Sequence, residues 1–458
     1  MVEVDDLVRS GNAAVVAPAG HGKTEVIAKV AAKGERALIL THTHAGVHAI
    51  RMRLKRLQVP YSKVAVDTIA GWSMRYGNAF PGVADPPEGM PQGAGWDRLY
   101  EGATAALRVS AVREVVAASY DRVLIDEYQD CGRLQHGLAV ELSSIVPTII
   151  FGDPMQGIFE FAGATLNWDE DIYPTFPLAG TLDFPHRWSN KNPELGQWIA
   201  ETREKLLRGD AIDLNDPRIT YRVSGDAFDM ATLFEGIDQK VGTFAAIHCK
   251  KGICYSLAKA SNAGYQAIEE IAANRLRTFS DSWDGAANGR ERLRALKAVV
   301  EECSKIIDGD VTAEETSVEE SMQALAQFLD DNNGADAAVK FLALARQHPR
   351  RRVHRNELWR DCQRALDSLA AGRCESMSAA TTHVRQRVSM SGRNLPLRTV
   401  STPLLLKGLE FDHVVIPLAT HFLREDRAQA KLFYVAISRA IRSLVVSSPE
   451  TVVTFPRP

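Results

Sequence analysis

Residues 13–24 read AAVVAPAGHGKT, an aliphatic run that breaks into a loop with two glycines and ends on Gly22-Lys23-Thr24. A buried strand over Ala13–Ala17, a glycine turn and a helix starting near Lys23 form the setting that a phosphate-binding P-loop requires. Glycines let the backbone curl so that successive N–H groups face phosphate oxygens, and the helix N-terminus adds its positive end. Ala19, Gly20, His21 and Gly22 would form the cradle, Lys23 would reach the β- and γ-phosphates, and the Thr24 hydroxyl would hold Mg²⁺. A nucleoside triphosphate with Mg²⁺ is therefore the expected ligand.

Residues 123–130 read VLIDEYQD. Asp126 closes the hydrophobic run, which places it at the C-terminal end of a buried strand, where open α/β sheets bind ligands. Its carboxylate can complete the Mg²⁺ shell, and Glu127 can orient and deprotonate an attacking water.

Working outward, similar short aliphatic runs recur at Ala37–Thr41, Val64–Asp67, Thr148–Gly152, Thr243–His248, His413–Leu418 and Ser443–Ser447. They lack the alternation of a half-exposed strand and suit strands covered on both faces. Helical stretches lie between several of them, which predicts an α/β fold with parallel sheets. Two intervals break the pattern. Tyr76 to Ala118 opens with the Gly/Pro-rich PGVADPPEGMPQGAG and turns helical, and Gln266 to Pro396 is helical almost throughout.

The chain has 458 residues, enough for roughly two to four domains. A hydrophobic share of 45% and a charged share of 24% are those of an ordinary globular protein. No apolar run approaches the roughly 18 residues of a membrane span, so no membrane partner is expected. The N-terminus MVEVDDLVRSGN is acidic where a signal peptide would be basic, and the six scattered cysteines form no Cys-x-x-Cys pair. Both features point to a reducing, cytoplasmic setting. The pair Cys249 and Cys254 reads as core packing.

The net charge of −3 hides an asymmetry. Asp308 to Asp336 carries nine acids and no Lys or Arg, whereas Arg346 to Arg398 carries twelve Arg against four acids. The basic block can track phosphates or form a solvated helical face.

The string Asp126-Glu-Tyr-Gln-Asp130 resembles the UvrD/Rep-like branch of the superfamily 1 helicases. Further matches follow in family order: FGDPMQGIFEFAGA (151–164), FPHRWS (184–189), STPLLLKGLEFDHVVI (401–416) and LFYVAISRAIRSLVV (432–446). Weaker ones are ILTHTHAGVHAIRMRL (39–54) and DTIAGWS (67–73). The resemblance implies two RecA-like P-loop NTPase domains with ATP between them. The first would comprise 1–76 and 119–180 with a small insertion at 77–118. The second would comprise 181–265 and 396–458 with a helical insertion at 266–395. It also implies that Gln156 senses the γ-phosphate and that Arg187 and Arg439 stabilise charge during transfer. His186 would stack on the base, and Gly408 and Glu410 would line the cleft. Family members couple ATP hydrolysis to 3′ to 5′ movement along single-stranded DNA, so single-stranded or tailed DNA is the expected partner.

The sequence departs from the family mainly where DNA is held. His42, His44 and Ala45 replace the usual aromatic, Asn and Lys; Ile69-Ala70 replaces Phe-His; Phe161-Ala162 replaces Trp-Arg; Leu404 replaces His. Such changes remove phosphate contacts and stacking surfaces. On the ATP side, His186 takes the place of a Tyr, and no N-terminal Gln is present to read adenine. His42, His44 and His48 could also be read as metal ligands, although their position around a strand-to-helix turn suits loop residues better. Compact relatives of this type, such as the helicase-like subunit of Gabija-type systems, can accompany a nuclease in anti-phage defence. The alternative expectation is an ATP-hydrolysing regulatory subunit that controls a partner without processive unwinding. RNA in place of DNA also stays open.

Overall fold

The computed structural model describes residues 2–458 apart from positions 90, 92, 159–165, 238, 263, 269–273, 333 and 392–394. The chain divides into two compact units: Met1–Ile212 with Leu423–Ile441 and Thr454–Pro458, and Asp213–Phe422 with Arg442–Val453.

The first unit is built on a six-stranded sheet of β1 (Ala13–Val16), β2 (Ala37–Thr41), β3 (Val64–Thr68), β4 (Arg122–Ile125), β5 (Thr148–Gly152) and β6 (Leu178–Thr181). Their order is β3-β2-β4-β5-β1-β6, and all five neighbouring pairs run parallel. Successive residues alternate between two cores. Ala13, Val15, Ile39, Leu124, Ile149 and Phe151 pack on one face, with Ile27 and Val30 of the helix Lys23–Lys33. Ala14, Leu38, Leu40, Val123, Ile125 and Ile150 pack on the other, with Trp72 and Leu107. This two-sided burial explains why the strands read as continuous aliphatic runs. Between β3 and β4 the chain is helical, with helices Ile69–Ala79, Gly95–Leu107 and Ser110–Ser119.

After β6 the first unit continues through the helix Pro193–Arg208. Asn192 caps its N-terminus by accepting from the Leu195 N–H at 3.0 Å, Pro193 opens it, and Gly209 ends it at φ +70°. Residues 181–212 and 423–441, which the sequence reading grouped with a second domain, thus pack in the unit that holds the P-loop.

The second unit has its own six-stranded sheet, in the order Gln266–Ala267, Arg398–Ser401, Phe244–Ile247, Phe411–Ile416, Ala440–Ser448 and Thr220–Val223. Residues 274–391 supply six helices and a small antiparallel ribbon of Ser304–Ile306 against Arg351–Val353. Trp283, Leu296, Phe341, Trp359 and Leu366 centre the helical core. The ribbon is tied to the edge strand: the Ala267 N–H donates to the His354 carbonyl at 3.0 Å, and Gln266 donates to the Val353 carbonyl at 3.0 Å.

Candidate nucleotide site

β4, β5 and β1 are parallel neighbours, so the loops that leave their C-terminal ends converge. Those loops carry Asp126-Glu127, Asp153 to Gln156, and Pro18 to Gly22. Gly20 and Gly22 adopt φ +76° and +82°, the left-handed region that a side chain resists, and Gly22 is the N-cap of the helix Lys23–Lys33. Space reinforces the choice. A Cβ on Gly20 would lie 2.7 Å from the Trp188 ring, and one on Gly22 would lie 3.0 Å from the His186 ring.

Lys23 sits at the meeting point. Its Nζ is 2.8 Å from Asp126 Oδ1 and also pairs with Glu127. Burial works against the ammonium charge, but the two carboxylates outweigh it and hold Lys23 above the usual lysine range. Burial raises the Asp126 carboxyl, against the pull of Lys23. Glu127 takes φ +56°, a strained conformation for a non-glycine residue, and its N–H donates to Asp126 Oδ1 at 2.8 Å. Gln129 donates to the Glu127 carboxylate from the following turn. Thr24 follows Lys23 in the first helical turn and is half-buried. The hydroxyl of Thr24 and the carboxylate of Asp126 are both hard oxygen donors of the kind Mg²⁺ takes, so these residues fit that ion.

The first unit also holds His21, Gln156, His186, Arg187 and Arg439. His21 is buried, with Nδ1 2.9 Å from the Ala19 carbonyl, and burial keeps the imidazole below its ordinary range. Gln156 ends the short turn Pro154–Gln156 and is 8% exposed. The Arg187 N–H donates to the Gly20 carbonyl at 3.0 Å, and its guanidinium donates to the Ser438 carbonyl at 2.6 Å. Arg439 is buried, donating to the Val435 carbonyl at 2.9 Å and to the Ser438 hydroxyl at 2.8 Å. His186 is exposed and packs edge-on against Phe184, with centroids 4.5 Å apart. Gly408, at φ +81°, and the exposed Glu410 belong to the second unit, in the turn before Phe411–Ile416.

Four supporting residues escaped the sequence reading. Tyr434 accepts from the Ala19 N–H at 3.0 Å and is 1% exposed. Trp188 lies against Gly20 and Gly196 and donates to the Ala440 carbonyl at 2.6 Å. Asp153 and Arg203 form a buried ion pair of 2.8 Å. Asp153 had a usable signal, since it follows a strand in the same way as Asp126. Arg203 had none, because nothing local marks a helical arginine as buried.

The nucleic-acid features of the sequence find varied places. His42 faces Cys131, Nε2 to Sγ 3.5 Å, and burial raises the thiol well above the ordinary range. Ile69 and Ala70 open the helix Ile69–Ala79, whereas Phe161-Ala162 lies outside the described residues. Among the described residues, the side chains that converge at metal-binding spacing are Glu315, Glu319 and His348, not His42, His44 and His48. Glu315 is already gripped by Arg350 at 2.8 and 3.0 Å. Much of the basic block is likewise engaged within the second unit. Arg351 donates to Ser304, Arg346 to Asn356, and Arg355 lies 4.1 Å over the Tyr255 ring while pairing with Glu302.

Residues 92–177 match the UvrD/REP helicase N-terminal domain. The matched segment includes Asp126-Glu127 and Asp153 to Gln156 and lies outside the P-loop. No curated protein is significantly similar to the chain. Two solved structures share limited likeness. Arterivirus nonstructural protein 10 (helicase) with DNA is 14% identical over 53% of this chain and 48% of its own, TM-score 0.27. Pif1 helicase from Candida albicans is 12% identical over 57% and 53%, TM-score 0.32. The chain thus spans about half the length of each.

Proposed function

We propose that the chain is an ATP-dependent DNA helicase or translocase of the UvrD type. The observation that carries this reading is the convergence of Lys23 on Asp126 and Glu127, beside a glycine cradle with no room for side chains. Ala19 to Thr24 hold the triphosphate, and Thr24 and Asp126 hold Mg²⁺, which supplies neutralisation of the phosphate charge. Glu127 accepts a proton from water as the oxygen bonds to the γ-phosphorus and the bridge to the β-phosphate breaks. Arg187 and Arg439 stabilise the charge on the transferring group, and Gln156 responds to the γ-phosphate. His186 offers a face for the base.

Single-stranded or tailed DNA is the partner, with 3′ to 5′ polarity, in the cytoplasm; a nuclease partner in anti-phage defence extends the same reading. The test is strand separation on duplexes with a 3′ or a 5′ single-stranded tail. ATP-dependent opening of the 3′-tailed duplex alone supports the polarity, and opening of the 5′-tailed one contradicts it.

The second reading, a regulatory ATPase that controls a partner protein, is favoured by the internal engagement of Arg346, Arg350, Arg351 and Arg355. It predicts ATP hydrolysis without strand separation on either substrate.

A further inference from the structure

Resting on the ATP-hydrolysis reading above, we infer that Arg203 is a positioning residue for Gln156, acting through Asp153. Arg203 lies fifty positions beyond Asp153 on the helix Pro193–Arg208. Its Nη2 and Nε donate to Asp153 Oδ1 at 2.8 and 3.3 Å. The same oxygen accepts from the Met155 N–H at 3.1 Å, and Oδ2 accepts from Gln156 Nε2 at 3.1 Å. One carboxylate therefore joins the guanidinium to both the backbone and the side chain of the turn Pro154–Gln156.

Asp153 is 1% exposed and Arg203 5%. Buried charges need a partner, and Arg203 supplies one to Asp153 at 2.8 Å. Without it the carboxylate would lose the donors that fix its orientation, and Oδ2 would no longer hold the Gln156 amide. Arg203 is too buried to meet nucleic-acid phosphates, so its charge is directed inward. The fork matters as well as the charge: Nη1 donates to Glu204 at 2.8 Å, so three nitrogens of one planar group are placed at once.

The bland reading is a buried ion pair that only fastens a helix to the sheet. Coupling between Arg203 and Gln156 separates the two. Steady-state kcat and KM for ATP, with binding of a fluorescent ATP analogue, would be measured for wild type, Lys23→Ala, Arg203→Leu, Arg203→Lys, Asp153→Asn, Gln156→Ala and the double Arg203→Leu/Gln156→Ala. Thermal melts would normalise each rate to folded protein. Positioning predicts that Arg203→Leu and Asp153→Asn lower kcat by about tenfold to a hundredfold with KM and nucleotide binding little changed. It also predicts that Arg203→Lys recovers part of the loss and that Arg203→Leu adds little to Gln156→Ala. Losses that multiply in the double variant, or an unchanged kcat per folded molecule, overturn the inference alone. Should Arg203→Leu fail to fold, the near-isosteric Asp153→Asn and Arg203→Lys decide by the same criterion. Wild-type protein without Lys23-dependent hydrolysis overturns the reading of the site and this inference with it.

Discussion

At the scale of single residues, the site concentrates charge and strain where the sequence offered a generic motif. Glu127 is held at φ +56° with its carboxylate between Lys23 and Gln129, an arrangement that suits a base aimed at a fixed water. Glu127→Gln should lower ATP turnover by about 10²–10⁴-fold while leaving nucleotide binding intact. Equal loss of binding and turnover would assign Glu127 to binding. Gly20→Ala meets two obstacles at once, the left-handed backbone at φ +76° and the Trp188 ring at 2.7 Å. The backbone alone costs about 1–2 kcal/mol, and the contact adds to it. A lowered urea midpoint together with weakened nucleotide binding is the expected result. Unchanged stability would show that the loop relaxes freely.

At the scale of elements, the segment Phe184–Ser189 acts as a brace beneath the P-loop. Trp188 is fully buried, touches Gly20 and donates to the Ala440 carbonyl, so Trp188→Ala should destabilise the protein by about 3–5 kcal/mol in urea unfolding. A loss below about 1 kcal/mol would mean that the cavity collapses. His248 follows the strand Phe244–Ile247 and is fully buried, with Nε2 2.9 Å from Nδ1 of His421. Burial, reinforced by His421, pushes its imidazole down to about 3. The unfolded chain takes up that proton near pH 6.5, so the folded state binds fewer protons between these values. Stability is complete above about pH 6.5 and falls as pH drops toward 3, by at most about 1.4 kcal/mol per unit for this group. His248→Asn should flatten the fall in urea midpoint between pH 7 and 4.5; an unchanged slope would show that other groups carry it. All eight strands expected from aliphatic runs are present; β1, β2, β4 and β5 are buried almost throughout and write that burial into composition, whereas β3 alternates buried and half-buried residues. β6, Thr220–Val223 and Arg398–Ser401 were not legible. The first two are exposed or half-buried edge strands, and the third is short and polar, so none of the three has a hydrophobic run.

At the scale of the whole molecule, motifs name the glycine loop, the acidic pair, Gln156, Arg187 and Arg439, and all of them lie in the first unit. The contacts that hold them in place, through Asp153, Arg203, Trp188 and Tyr434, depend on pairings between distant segments that no local pattern records. The basic block stayed ambiguous for the same reason: composition counts arginines but not their partners, and Arg350 and Arg355 pair with Glu315 and Glu302. Coupling to DNA is therefore the point on which the proposed function turns. The most direct measurement is ATP hydrolysis by purified protein with and without single-stranded DNA, beside a Lys23→Ala control. Hydrolysis that depends on Lys23 and rises strongly with DNA is the predicted result, whereas hydrolysis indifferent to both would contradict it.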